Sequence, residues 1–405
     1  MARRWISILL LILLLFPVGV FVTAGGNVID PGALERAQAY MASEGTEDTP
    51  VTKANGSPFN IAYVDIDPYP ATGEMLYRFI EQLDASGWIT LNEELPFDPA
   101  DTDAKAVISY LAARDVGPYL RFSDDLNYYI SDAFDGVDYT KEDLSKRIAN
   151  GEVDLIFCLG TWPADVLINE MGITEVPIMV SGTVDPVSSG LAADEDHSGK
   201  KNIWCHTNSG VYRNQMKFYH NSYPFTNIGM VFYDESIGSY YPYSEAAETL
   251  GFKITYRKIE RGKSGDDAYY SQLKKIYQEL VSEGIDAFLL NTDMIWNEER
   301  IPELLDVFYE KNIPVFVQSS EFFVEDGATM IVTASDATAQ APFLVHTMST
   351  ILHGGEPGSI SQRFATPPFL SVNLEVADRI GFPVDDKMLL SAERIYSRTK
   401  EFIGE

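Results

Sequence analysis

VDLIFCLGTWP (153–163) and VPIMVSGTVDP (176–186) are built alike: an apolar run, a cluster of Gly, Ser and Thr, then a proline. IDAFLLNTDM (285–294) and IPVFVQSS (313–320) repeat the design. Short unbroken apolar runs bounded by turn residues are the mark of strands buried on both faces, as in parallel sheets. In open α/β sheets small ligands bind beyond the carboxyl ends of such strands, where these polar clusters fall. Two copies therefore predict two sheets and a cleft with polar groups on both walls.

Working outward, strands are predicted at 60–66, 119–123, 153–159, 177–181 and 202–206, and a second set at 227–233, 252–258, 285–290 and 313–318. Between them lie helical stretches, several closed by a glycine, such as Gly87, Gly251 and Gly284; glycine takes the left-handed backbone a helix end requires. A helix is expected to start at Pro163 and stop at Gly172. Strands alternating with helices predict an α/β fold of two Rossmann-like lobes with parallel sheets. The tail holds a strand-like stretch at 330–335, a helix near 337–353, an extended segment at 366–374 and a last helix broken by Gly381. These pieces are too few for a third core, so they are expected to cross back and complete both lobes through a multi-strand hinge. The expected division is 57–205 with 334–362 for the N-terminal lobe, and 206–333 with 363–400 for the C-terminal lobe.

At 405 residues and 45% hydrophobic content the chain exceeds what one core commonly holds. Arg3 and Arg4 precede an uncharged apolar run from Trp5 to Val22, and Val22-Thr23-Ala24 offers small residues for cleavage. That layout predicts a secretory signal peptide, residues 1–24. As a helix the run would be about 27 Å long, at ~1.5 Å per residue, marginal for a membrane span. No cysteine lies there, which excludes a lipid-modified N-terminal cysteine, and a periplasmic location is expected. Residues 25–56, rich in Gly, Thr, Glu, Asp and Pro, are read as a tether. The net charge of −30 becomes −32 once Arg3 and Arg4 are lost. Such a surface repels nucleic acid and anionic lipid. Cys158 and Cys205 sit in separate apolar strands and are expected to be two buried thiols.

The sequence holds no HExxH, no GxSxG elbow and no GxGxxG after a strand. Arg261-Gly262-Lys263-Ser264 resembles the end of a phosphate loop, but Arg257 stands where that motif needs glycine. The five histidines show no ligand spacing, so no metal and no cofactor is expected. What remains is the set of strand ends. Backbone N–H groups near Thr161 and Trp162, where a strand turns into a helix, suit a carboxylate. Ser181 and Asp185 follow the next strand. Thr292-Asp293 and Ser320 hold the equivalent places in the second set, and Tyr69 follows the first strand. Asp185 or Asp293 would hold an ammonium through a charge-assisted hydrogen bond. Tyr69, Trp162 and Tyr212 would supply aromatic walls.

Taken in order, VDLIFCLGTWPA, VPIMVSGTVDPVSSGL, NIGMVFYDES, GIDAFLLNTD, IPVFVQSS and the closing TPPFLSVNLEVADRIGFPV resemble the ABC-transporter substrate-binding family that includes tryptophan- and tyrosine-type binding proteins. The resemblance spans about residues 57–400. It implies a type I periplasmic-binding-protein fold with two lobes and a three-strand hinge, and delivery of a small molecule to a membrane permease; a monomer is expected. It also implies that the pocket falls on Thr161, Asp185 and Thr292-Asp293. The chain departs from the family at Trp162, where members often carry a small residue, and at Met294; the loops 88–118 and 124–140 are longer. The leading expectation is thus an extracytoplasmic solute-binding protein for an amino-acid-like ligand. A sensory protein presenting the same closed form to a receptor, and an α/β enzyme, are the alternatives; the missing nucleophile–base and metal sets argue against the enzyme.

Overall fold

The computed structural model describes residues 49–99, 103–131, 134–183, 185–208, 210–233, 239–260, 262, 267–291, 294–295, 297–333, 337–364 and 369–400. The expected signal peptide, most of the tether, Thr292 and Asp293 lie outside these residues.

The first sheet is made of β1 (Phe59–Asp65), β2 (Leu120–Arg121), β3 (Asn127–Tyr129), β4 (Leu155–Leu159), β5 (Ile178–Ser181) and β6 (Ile203–Cys205). Its order is β2-β1-β4-β5-β6, with β3 also on β1, and every pair is parallel. Cys158 on β4 and Cys205 on β6 are buried free thiols, kept apart by the intervening β5.

The second sheet contains β7 (Asn227–Phe232), β8 (Lys253–Lys258), β9 (Ala287–Leu290), β10 (Val315–Val317), β11 (Met330–Thr333), β12 (Phe369–Asn373) and β13 (Arg394–Tyr396). Its order is β13-β12-β11-β10-β9-β7-β8, parallel except where β12 runs against β11.

The helices cover the sheet faces. They are α1 (Pro70–Ala85), α2 (Ala104–Ala112), α3 (Val137–Ala149), α4 (Thr161–Asp165), α5 (Val211–Ser222), α6 (Tyr240–Leu250), α7 (Asp267–Ser282), α8 (Ile301–Tyr309), α9 (Phe322–Glu325), α10 (Ala337–Leu352), α11 (Leu374–Ile380) and α12 (Asp386–Ser391). In α1 the apolar Leu76, Phe79, Ile80 and Leu83 recur at helical spacing and are all buried, so one stripe faces the sheet. Phe343, Leu344 and Met348 of α10 pack into the same core as Tyr63 and Phe157 of the first sheet, although α10 follows β11 of the second. Among the described residues no helix is long and apolar enough to cross a membrane.

The chain passes between the sheets three times: from β6 towards β7, from β11 to α10, and from the segment beside β6 to β12. Two of these passages run side by side. Thr207 pairs in parallel with Arg363, its N–H donating to the Gln362 carbonyl at 2.8 Å. The Trp204 indole donates to Ser361 at 2.9 Å. Residues 49–56, read from sequence as the end of a tether, lie against the first sheet: Val51 packs on its core and Lys53 pairs with Asp154 at 2.7 Å.

Candidate functional site

Parallel strands deliver their carboxyl ends to one edge of each sheet, and the chain must turn there into a helix. After β4, Gly160 turns at φ 98° and caps α4. The helix thus begins at Thr161, not at Pro163 as expected. Pro163 is tolerated in the first turn because N–H groups there have no intrahelical acceptor. The helix ends in a wide turn at 166–170, where Met171 N–H reaches back to Val166. After β5, Gly182 turns at φ 66°. A side chain on Gly182 would sit 3.6 Å from the Gly160 nitrogen, and Gly160 N–H donates to the Ser181 carbonyl at 3.0 Å. The two strand ends are therefore drawn together by their glycines.

The predicted residues occupy different surroundings. Thr161 and Trp162 are half-buried, and the Trp162 ring packs on the core between the first sheet and α3 and α4. Ser181 is fully buried and its hydroxyl accepts from the Gln340 amide of α10 at 3.4 Å. Asp185 is half-buried and accepts from the Ser188 N–H at 3.0 Å and the Ser188 hydroxyl at 2.8 Å, which fixes the turn after β5. Tyr212, in the first turn of α5, stands edge-on to Tyr243 at 5.6 Å. Its phenol is pushed well up by burial, with the nearby Asp185 charge adding to the effect. Tyr69 and Ser320 come from different sheets and meet: their hydroxyls share a hydrogen bond of 3.0 Å.

Sequence reasoning missed four groups at this edge. Asp65 ends β1, fully buried. It follows Ile61 and Tyr63 on one face of the strand, an alternation that signals an inward carboxyl. The carboxylate accepts from the Tyr63 hydroxyl at 2.7 Å and the Ile66 N–H at 2.7 Å. Burial raises its pKa to about 7, against the pull of Tyr63, Thr72 and Ile66. His206 lies where β6 leaves the first sheet. Its Nε2 is 2.9 Å from the Phe364 carbonyl and its Nδ1 2.5 Å from the Gln340 amide nitrogen. Burial pushes His206 down to about 4, the Phe364 carbonyl opposing, so a neutral imidazole joins two of the three passages.

On the second sheet, Gln215 of α5 donates to the carbonyls of Gln318 and Val332 at 2.6 Å each, tying the ends of β10 and β11. Glu321 follows Ser320 and accepts from Ser371 at 3.1 Å and from Arg394 and Tyr396. Ser320 itself has φ 71°, a left-handed conformation that costs a non-glycine residue about 1–3 kcal/mol. It stands between the end of β10 and the anchored Glu321.

A groove of about 910 Å³ lies elsewhere, between α7 and α8, with Ile285, Asp286, Asn312 and Ile313 on its wall. These residues precede β9 and β10, so the groove is at the amino ends of the strands, opposite the polar edge. Among the described residues no cluster of His, Cys, Asp and Glu is arranged to hold a metal.

A family model described as ABC transporter substrate binding protein matches residues 139–396. Three solved structures are similar across 84% of this chain and the whole of their own. A conserved domain protein from Vibrio cholerae shares 17% identity at a TM-score of 0.63. An ABC domain in complex with L-Trp from Streptococcus pneumonia shares 14% at 0.62. A ligand-free, open substrate binding protein from Clostridium difficile shares 17% at 0.54. Such likeness speaks for the fold. A curated relative, glutathione S-transferase F10 of Arabidopsis thaliana, is 30% identical over 129 residues, 31% of this chain and 59% of that protein; the chain thus spans less than two thirds of its length. The two parallel-dominated sheets are those of the type I periplasmic-binding-protein fold. With well over half its length matched, the chain belongs to the ABC transporter substrate binding protein family.

Proposed function

We propose that this chain is the extracytoplasmic solute-binding component of an ABC importer, secreted by removal of residues 1–24, and that it captures an amino-acid-like ligand by closing two lobes. The lobes are 57–205 with 334–362, and 206–333 with 363–400. The observation that carries this reading is the facing of two sets of parallel-strand carboxyl ends, one from each sheet, which touch through Tyr69 and Ser320. A cleft between two mobile halves binds by closure, because ligand contacts to both walls favour the closed form. Helix α4 begins at Thr161, at the carboxyl end of β4, and the positive end of its dipole suits a ligand carboxylate; Asp185 and Asp293 are suited to an ammonium. The similar fold from Streptococcus pneumonia was solved with L-Trp, which fits a ligand of this class. A membrane permease would receive the ligand, one copy of this chain at a time.

A thermal-shift screen with the common amino acids tests the reading. At least one is expected to raise the melting temperature without being consumed. Asp293→Ala is expected to abolish that rise while leaving the ligand-free melting temperature unchanged. No stabilisation by any amino acid, or turnover of one, would contradict the proposal.

A further inference from the structure

We propose that Tyr69 and Ser320 form a latch that holds the chain closed even before a ligand enters. The inference rests on the two-lobe reading above, and goes beyond it by assigning these two side chains to each other.

Each side of the latch is fixed before the two meet. Tyr69 caps α1 in extended backbone, and its carbonyl accepts from the Gly73 N–H at 2.9 Å and the Thr72 hydroxyl at 3.0 Å. Its ring is therefore presented by the first turn of a helix. Opposite, Ser320 is set at φ 71° beside Glu321, which is bound to Ser371 on β12 and to Arg394 and Tyr396 on β13. Next along the chain, Phe322 stacks on the buried Phe323 at 4.2 Å and offers its edge to Tyr69 at 6.4 Å. The Tyr69–Ser320 hydrogen bond and the Tyr69–Phe322 ring contact thus connect two firmly held mounts. Partners already held in place lose little freedom on meeting, so most of the contact's favourable free energy goes to closure. A serine held at positive φ is the kind of backbone strain found at switch points.

The test measures closure without ligand, by single-molecule FRET between dyes on Ser145→Cys of α3 and Lys275→Cys of α7. Both positions are exposed, and the native thiols of Cys158 and Cys205 are buried. Ligand-free protein is expected to show a closed population. Tyr69→Phe keeps the ring against Phe322 and removes only the hydroxyl. Ser320→Gly removes the other hydroxyl and relieves the backbone. Each is expected to lower the closed-to-open ratio about fivefold, the worth of one net hydrogen bond, and the double variant is expected to fall no further. An unchanged ratio in both single variants, additive losses in the double, or a chain wholly open without ligand would overturn the latch. Because no ligand is present, failure of the amino-acid assignment leaves this result untouched, and failure of the latch leaves ligand binding untouched.

Discussion

Asp65 is a buried carboxyl at the edge where ligands are expected, and its chemistry has a direct consequence for stability. Tyr63 on its own strand, Tyr129 on β3, Cys158 on β4 and Asp67 in the following turn all face it. None of these is a cation, so ionising Asp65 is costly and its folded pKa is raised to about 7. In the unfolded chain it returns to the ordinary carboxyl value near 3.9. Between these values the folded state holds a proton that the unfolded state has lost, so this group's contribution falls as pH rises from about 4 to 7. Asp65→Asn keeps an acceptor oxygen for the Ile66 N–H, turns its NH2 towards the Tyr63 oxygen, and removes the ionisation. It is expected to raise the melting temperature at pH 8 and to leave it nearly unchanged at pH 4. Asp326, also raised to about 7 mainly by burial, keeps part of the slope. A variant as pH-dependent as the parent would show that Asp65 does not ionise in this window.

At the scale of elements, the anchor between the α9 turn and the two closing strands decides how firmly the second sheet presents Ser320. Glu321 is bound from β12 by Ser371 and from β13 by Arg394 and Tyr396. Glu321→Gln keeps the shape but weakens the charge-assisted bonds. A loss of about 1–3 kcal/mol in urea unfolding is expected, with a smaller loss for Ser371→Ala; a neutral Glu321→Gln would show the anchor to be slack. The same region shows how far the sequence could be read. The long apolar runs that became β4, β5, β9 and β10 were legible because both faces of a central strand must be apolar. Strand β13, with Arg394, Ile395 and Tyr396, was not: it is an edge strand of three residues whose polar side chains serve Glu321. Strand β3, made of Asn127, Tyr128 and Tyr129, was likewise hidden in an Asp- and Tyr-rich stretch. Its pairing with Tyr63, Val64 and Asp65 is a long-range event with no local signature. The start of α4 was misplaced because Pro163 is the louder signal, while the decisive residue is Gly160. Asp185 was legible as a strand-end carboxylate, but its commitment to Ser188 depends on the turn geometry.

At the scale of the molecule, passages of chain join the two sheets, and the hydrogen bond between Tyr69 and Ser320 also links them. His206, Gln340 and Phe364 tie two of the passages together, and Tyr69 and Ser320 meet through their hydroxyls. If the chain closes on its ligand as proposed, it is expected to retain its solute through gentle purification. Native mass spectrometry of the natively purified protein tests that most directly. The account predicts a bound species of amino-acid mass, absent after unfolding and refolding, whose return restores the lost thermal stability. A protein that carries no such species and is stabilised by no amino acid added back would contradict it.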